Sequence, residues 1–129
     1  MKGISTDFDN TCNIINLKEI SVEEVRNEIF DFMLADETIL QCFQTVRDQV
    51  IFTNKRVIVI NVQGISEKKA SYISYPYSKV IYFGVETAGA LDTDCEFIMV
   101  FPNNKNLKFE FMRNVDIKGV CRNIQQYIL

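Results

Sequence analysis

The chain has 129 residues, 47% of them hydrophobic and 24% charged, with 14 basic against 17 acidic side chains and a formal net charge of −3. That length and balance describe one domain able to bury its own core, and exclude a disordered tail or low-complexity tract. Basic residues are spread rather than massed, which argues against nucleic acid as a partner and equally against a membrane held through anionic lipid.

The opening Met-Lys-Gly-Ile-Ser-Thr-Asp-Phe-Asp has no apolar signal-peptide core, which points to the cytoplasm. Apolar runs such as residues 57–60 are far too short to span a bilayer. Residues 1–20 read as an N-terminal extension, partly irregular and polar over 7–16, with a single domain over 21–129. Ser21 and Glu24 fit a capping box. Val22, Val25, Ile29 and Phe32 or Met33 then recur at helical spacing, predicting an N-terminal helix that ends at Ala35-Asp36-Glu37.

From Thr38 the hydrophobic period changes to two. Strands are expected over 39–46, 47–52, 56–62, 71–75, 79–86, 96–101 and 107–112. Pro76, which has no amide hydrogen for a ladder, stops the fourth. The last strand alternates most cleanly, with Leu107, Phe109 and Phe111 on one face and Lys108 and Glu110 on the other. A second helix follows, capped by Asn114 or Asp116, with Ile117, Val120, Cys121, Ile124 and Ile128 in one stripe. That stripe needs an apolar surface to cover, and an open barrel end is the obvious candidate.

Two segments, Val57-Ile58-Val59-Ile60 and Val80-Ile81-Tyr82-Phe83, are apolar on both faces, so something other than solvent must cover their outer sides. Either the N-terminal helix folds back with Val25, Ile29 and Met33 inward, or a neighbouring subunit packs there.

Catalytic equipment is sparse. The chain has no histidine, which removes the usual general base and the commonest metal ligand. Cysteines at 12, 42, 95 and 121 lack the paired spacing of zinc sites and read as small core residues. The five glycines stand alone and form no phosphate loop. Asp92, Asp94 and Glu96 resemble a calcium loop only superficially, lacking its later ligands and central glycine. No enzyme activity, cofactor or metal is expected; an enzyme using carboxylates or Tyr75 and Tyr77 has no motif behind it.

The stretch from Arg47 to Val62, R-D-Q-V-I-F-T-N-K-R-V-I-V-I-N-V, holds two β-branched runs around Thr53-Asn54-Lys55-Arg56, a hairpin signal. It resembles the bacterial pleckstrin-homology-like domain family of uncharacterised proteins, whose hairpin carries a similar R-D-x-x-x-F-T-[ND]-x-R pattern. Seven antiparallel strands and one closing helix match that family's element order over residues 21–129. The resemblance implies a mainly β, α+β fold: a seven-stranded antiparallel barrel or sandwich capped by a C-terminal α-helix, here with an extra N-terminal helix.

It also implies closed cyclic homo-oligomers and a polar surface, near the junction of protomers, that an unknown protein partner reads. Arg47, Asp48, Thr53, Asn54 and Arg56 match the motif at that surface, and no catalytic role comes with them. From the residues alone, an Arg and an Asp flanking a hairpin form structural ion pairs or bind turn carbonyls. The alternative function is a peripheral lipid-headgroup module, which requires Lys55, Arg56, Lys68, Lys69 and Lys79 to converge at one mouth of the barrel.

Overall fold

The structure is a computed structural model that describes residues 11–66, 69–87 and 95–129. It contains eight strands: β1 (Thr11–Ile20), β2 (Ile39–Gln44), β3 (Gln49–Thr53), β4 (Arg56–Gln63), β5 (Lys69–Pro76), β6 (Tyr82–Glu86), β7 (Cys95–Phe101) and β8 (Lys105–Phe111). One helix, α1 (Ile117–Ile128), closes the chain. The strands form one sheet in the order β5-β4-β3-β2-β1-β8-β7-β6, which is not closed, so β5 and β6 are its edges. All pairings are antiparallel except that of β1 with β8.

Seven of the eight strands lie where the alternation places them. The eighth corrects the reading of residues 11–16 as irregular: β1 is a central strand. Its early part pairs with β8 and its last residues with β2, with a register shift between Ile14 and Leu17. Asn16 sits at this bulge with φ +58°, a left-handed conformation that asparagine tolerates better than most residues. The bulge breaks the period of two, so the buried residues run Cys12, Ile14, Leu17, Ile20 and the strand is hidden from a periodicity argument. The boundary expected at residue 20 therefore falls at the end of a sheet strand.

Two cores lie on opposite faces of the sheet. The larger includes Val50, Phe52, Val57, Val59, Phe97, Phe109 and Phe111, with Ile117, Val120, Cys121 and Ile124 of α1 closing it. Its aromatic rings meet edge to face: Phe43 against Phe111 at 4.9 Å and Phe52 against Phe109 at 5.3 Å. Asp116 caps α1 by accepting the Gly119 amide at 3.2 Å. Asp116→Ala is expected to cost about 1 kcal/mol, read as a lower urea midpoint at unchanged slope.

The smaller core covers the outer sides of β3 and β4: Val25 and Ile29, with Met33, pack on Cys42, Ile51, Ile58, Ile60 and Val62. The 57–60 segment is thus covered from within its own chain, by the residues expected to point inward. The expected N-terminal helix is absent, however. The segment makes two 3-10 turns, Val22–Glu24 and Asn27–Asp31, with Val25 extended between them. Gln49 explains the break. Its buried side chain accepts the Arg26 amide at 3.0 Å and donates to the Glu24 carbonyl at 3.0 Å, taking both groups from the ladder of a continuous helix. Ser21 and Glu24 still cap the first turn, the Ser21 amide donating to Glu24 Oε2 at 2.9 Å.

The second doubly apolar segment differs. Phe83 packs toward the larger core, but Ile81 and Tyr82 are each 62% exposed.

Candidate functional site

Within one chain, the five residues singled out by the hairpin motif fall at two ends of β3. The structure brings Thr53, Asn54 and Arg56 together at the β3–β4 tip and leaves Arg47 and Asp48 at the other end of β3. Six residue steps separate Asp48 from Asn54, about 20 Å along a strand.

At the tip, Arg56 grips Glu37 with two prongs, Nε to Oε2 and Nη2 to Oε1, both at 2.8 Å. Its remaining donors reach the Phe32 carbonyl at 3.1 Å and Ser74 Oγ at 3.0 Å. The Glu37 side chain is fully buried. Thr53, also fully buried, donates to Glu37 Oε2 at 2.7 Å and accepts the Lys55 and Arg56 amides. Asn54 clasps the preceding loop, accepting the Thr38 amide at 2.8 Å and donating to the Asp36 carbonyl at 3.2 Å. Burial pushes the Glu37 carboxyl up. Hydrogen bonds from Arg56, Thr53 and the Leu34 amide, with the Arg56 charge, outweigh burial and hold it at about 2.

Tyr77 completes this lock, its hydroxyl donating to the buried Thr53 carbonyl at 2.7 Å. Tyr77→Phe leaves that oxygen unpaired and is expected to cost about 1–2 kcal/mol of stability in urea unfolding, with the β content of the circular dichroism spectrum retained. Burial pushes the Tyr77 phenol upward, and pushes Tyr75 to about 12, so neither is poised as a base near neutrality.

At the far end, Arg47 Nη2 donates to the Gly64 carbonyl, and Asp48 accepts the Val62 amide at 2.9 Å and the Asn61 side-chain amide at 3.2 Å. Arg47 thus binds a turn carbonyl, one of the structural roles expected for it, while the ion pair of the motif joins Arg56 to a residue outside it. Glu37 carries no local sequence signal. A lone Arg between two apolar runs asks for a carboxylate, but nothing in linear spacing selects Glu37 among 17 acids.

The basic residues required by a lipid-headgroup mouth lie apart. Lys55 pairs with Asp36 at 3.1 Å and Arg56 with Glu37, both at the Pro76 end of β5. Lys69 sits opposite Gln63 at the other end, about 23 Å away along the strand. Lys68 and the acidic turn Asp92–Asp94 lie outside the described residues. Glu96 stands in register between Glu86 and Glu110 and pairs with Lys108 at 3.1 Å. A hydrogen bond to Glu96, with its charge, pushes the Glu86 carboxyl up. Among the described residues no cluster of three or more His, Cys, Asp or Glu side chains has metal-binding geometry. Cys12, Cys42 and Cys121 are buried in the two cores, as small core residues should be. Burial pushes the Cys42 and Cys121 thiols to about 11. No helix among the described residues is long and apolar enough to cross a membrane.

A pocket of about 310 Å³ opens on the outer face beside the tip, walled by Ile29, Phe32, Ile58 and Tyr72 with Arg56 and Ser74 as its polar members. Since Glu37 neutralises Arg56, this pocket is mostly apolar and holds no net cation.

The chain is similar to a pleckstrin-homology-domain protein of Shewanella loihica, at 34% identity and a TM-score of 0.77, covering 89% of this chain and 99% of that one. A pleckstrin-homology domain of Shewanella amazonensis matches at 33% identity and a TM-score of 0.65, covering 85% and 90%. In Bacillus subtilis, the uncharacterised protein YjqA is 40% identical over 63% of this chain, a stretch spanning 65% of YjqA's length. The uncharacterised protein YozO is 28% identical over 68% of this chain and 75% of its own length. The model of the bacterial PH domain matches residues 10–128, including β1 and the whole of the two-core sheet. With the hairpin lock, the sheet and the closing helix all inside that match, this chain belongs to the bacterial pleckstrin-homology domain family.

Proposed function

We propose that this chain is a non-enzymatic assembly module of the cytoplasm, which self-associates head to tail into a closed ring and presents polar surface to a protein partner. The observation that carries this reading is the open sheet. Among the described residues it ends in two different strands, β5 and β6, each with one unpaired side, and β6 opens on the exposed Tyr82, directly after the exposed Ile81. An unpaired edge is a template for another strand, and one that opens on two exposed apolar side chains is a poor one to leave in water. Because the two edges differ, pairing them between copies is heterologous, and such contacts close into rings when the rotation per subunit allows.

The family resemblance supports the same reading, since it implies cyclic homo-oligomers. Among the described residues, strongly shifted groups are accounted for by burial in the core or by the Glu37–Arg56 lock, so they point to architecture rather than chemistry.

Light scattering after size exclusion, at two protein concentrations, tests the proposal. A stable multiple of 15.0 kDa is expected. A mass of 15.0 kDa at both concentrations overturns it.

A further inference from the structure

At the end of the sheet away from the hairpin tip, the turn between β2 and β3 and the turn after β4 lie side by side. Arg47 ties them through the Gly64 carbonyl, and Gly64 is left-handed at φ +78°. Both turns present an aliphatic side chain to solvent: Val46 is 96% exposed and Ile65 fully so. Beside them is a pocket of about 170 Å³, lined by Asn13, Ile14, Ile15, Thr45, Asp48 and Val59.

Asp48 gives this pocket its charge. It accepts two neutral donors, the Val62 amide and the Asn61 side chain, and pairs with no Lys or Arg among the described residues. A carboxylate offers about four acceptor positions, so about two remain. The Asn61 side chain is itself buried and its Oδ1 has no partner. The Asp48 carboxylate is the one charged side chain in the pocket's lining. Opposite the charge, Ile14, Ile15 and Val59 supply aliphatic surface. A long side chain with an apolar stem and a cationic head suits both halves.

We propose that this end of the sheet docks a polypeptide that inserts a lysine or arginine side chain beside Asp48 and lays flanking apolar residues on Val46 and Ile65. The inference rests on reading the chain as a partner-binding module and names the chemistry of that partner. An anionic membrane suits the site less well, since Asp48 repels the headgroups that the two aliphatic tips would approach.

The probes are the peptide acetyl-Ala-Leu-Lys-Leu-Ala-amide and its norleucine counterpart, titrated into the full ¹⁵N-labelled chain. The lysine peptide is expected to shift the Thr45, Asp48 and Val62 amides and to bind about tenfold more tightly than the norleucine one. Asp48→Asn keeps a carbonyl oxygen for the Val62 amide, so its spectrum stays folded while the preference for lysine is lost. Equal binding of the two peptides, or a preference that survives Asp48→Asn, overturns the site. So does a response of Val46 and Ile65 to phosphatidylcholine–phosphatidylserine vesicles when neither peptide produces one. Light scattering on the same samples separates this from assembly. A multimer with no peptide response overturns the site alone, and a monomer with a lysine-selective response overturns assembly alone.

Discussion

Arg56→Ala is expected to destabilise the fold by about 3–5 kcal/mol, because it strands the fully buried Glu37 carboxylate without its cation. Chemical denaturation of wild type and variant would show this as a large fall in midpoint. Arg56→Lys cannot reproduce the two-pronged grip and should recover only part of the loss. The double change Arg56→Met with Glu37→Leu removes both charges together. It is expected to cost far less than Arg56→Ala alone, which distinguishes stranded charge from lost packing.

The same pair predicts a pH dependence. The lock holds the Glu37 carboxyl at about 2 in the folded chain against an ordinary 4.5, so the folded state prefers the carboxylate. Its contribution, about 3 kcal/mol, is fully present above 4.5 and is lost as the pH falls from there toward 2. Denaturation midpoints between pH 5 and pH 2 should therefore drop more steeply in wild type than in the double variant. Parallel curves would remove Glu37 as the cause.

Ile81→Lys combined with Tyr82→Lys is expected to reduce the assembly to a 15.0 kDa monomer without unfolding it. Both side chains are exposed, so the substitutions spare the core. Two ammonium groups at the start of an edge strand oppose pairing by desolvation and by like charge, the device natural edges use against association. A multimer that persists in the double-lysine protein would move the interface away from β6. The other doubly apolar segment predicts no such effect, since Ile58 and Ile60 are covered by Val25 and Ile29 of the same chain.

Those two segments show how far sequence patterns reach. Both read alike, as runs apolar on two faces, and the conclusion that each needs an outer cover follows from composition alone. That the first is covered from within the chain while the second leaves Ile81 and Tyr82 exposed depends on where residues 21–33 pack, and that is set by contacts distant in sequence. The lysine and arginine residues behave similarly. Their spread along the chain argued against a basic surface, but only the register of β4 with β5 shows Lys69 and Arg56 at opposite ends of a strand.

The candidate site was legible in part. The motif marked a hairpin, and the structural roles expected for an Arg and an Asp there are seen: Arg47 on a turn carbonyl, Arg56 in an ion pair. Within one chain the residues that match the motif fall at two ends of β3, because four residues of extended chain, 49–52, lie between Asp48 and Thr53. Glu37, the partner that makes Arg56 matter, could not be picked from the sequence, since it stands 19 residues away in a loop with no pattern of its own.

The sequence by itself determined the seven strands from β2 to β8, the capping helix and its buried stripe. Alternation and helical spacing are local properties, written within a few residues of each element. Only the tertiary structure decided the rest. A bulge at Asn16 hides β1 by breaking its period. The Gln49 side chain turns an expected helix into two 3-10 turns by taking its backbone bonds. The sheet stays open, with β5 and β6 as its edges. In each case the deciding contact joins residues far apart in the chain, where propensity and period carry no information.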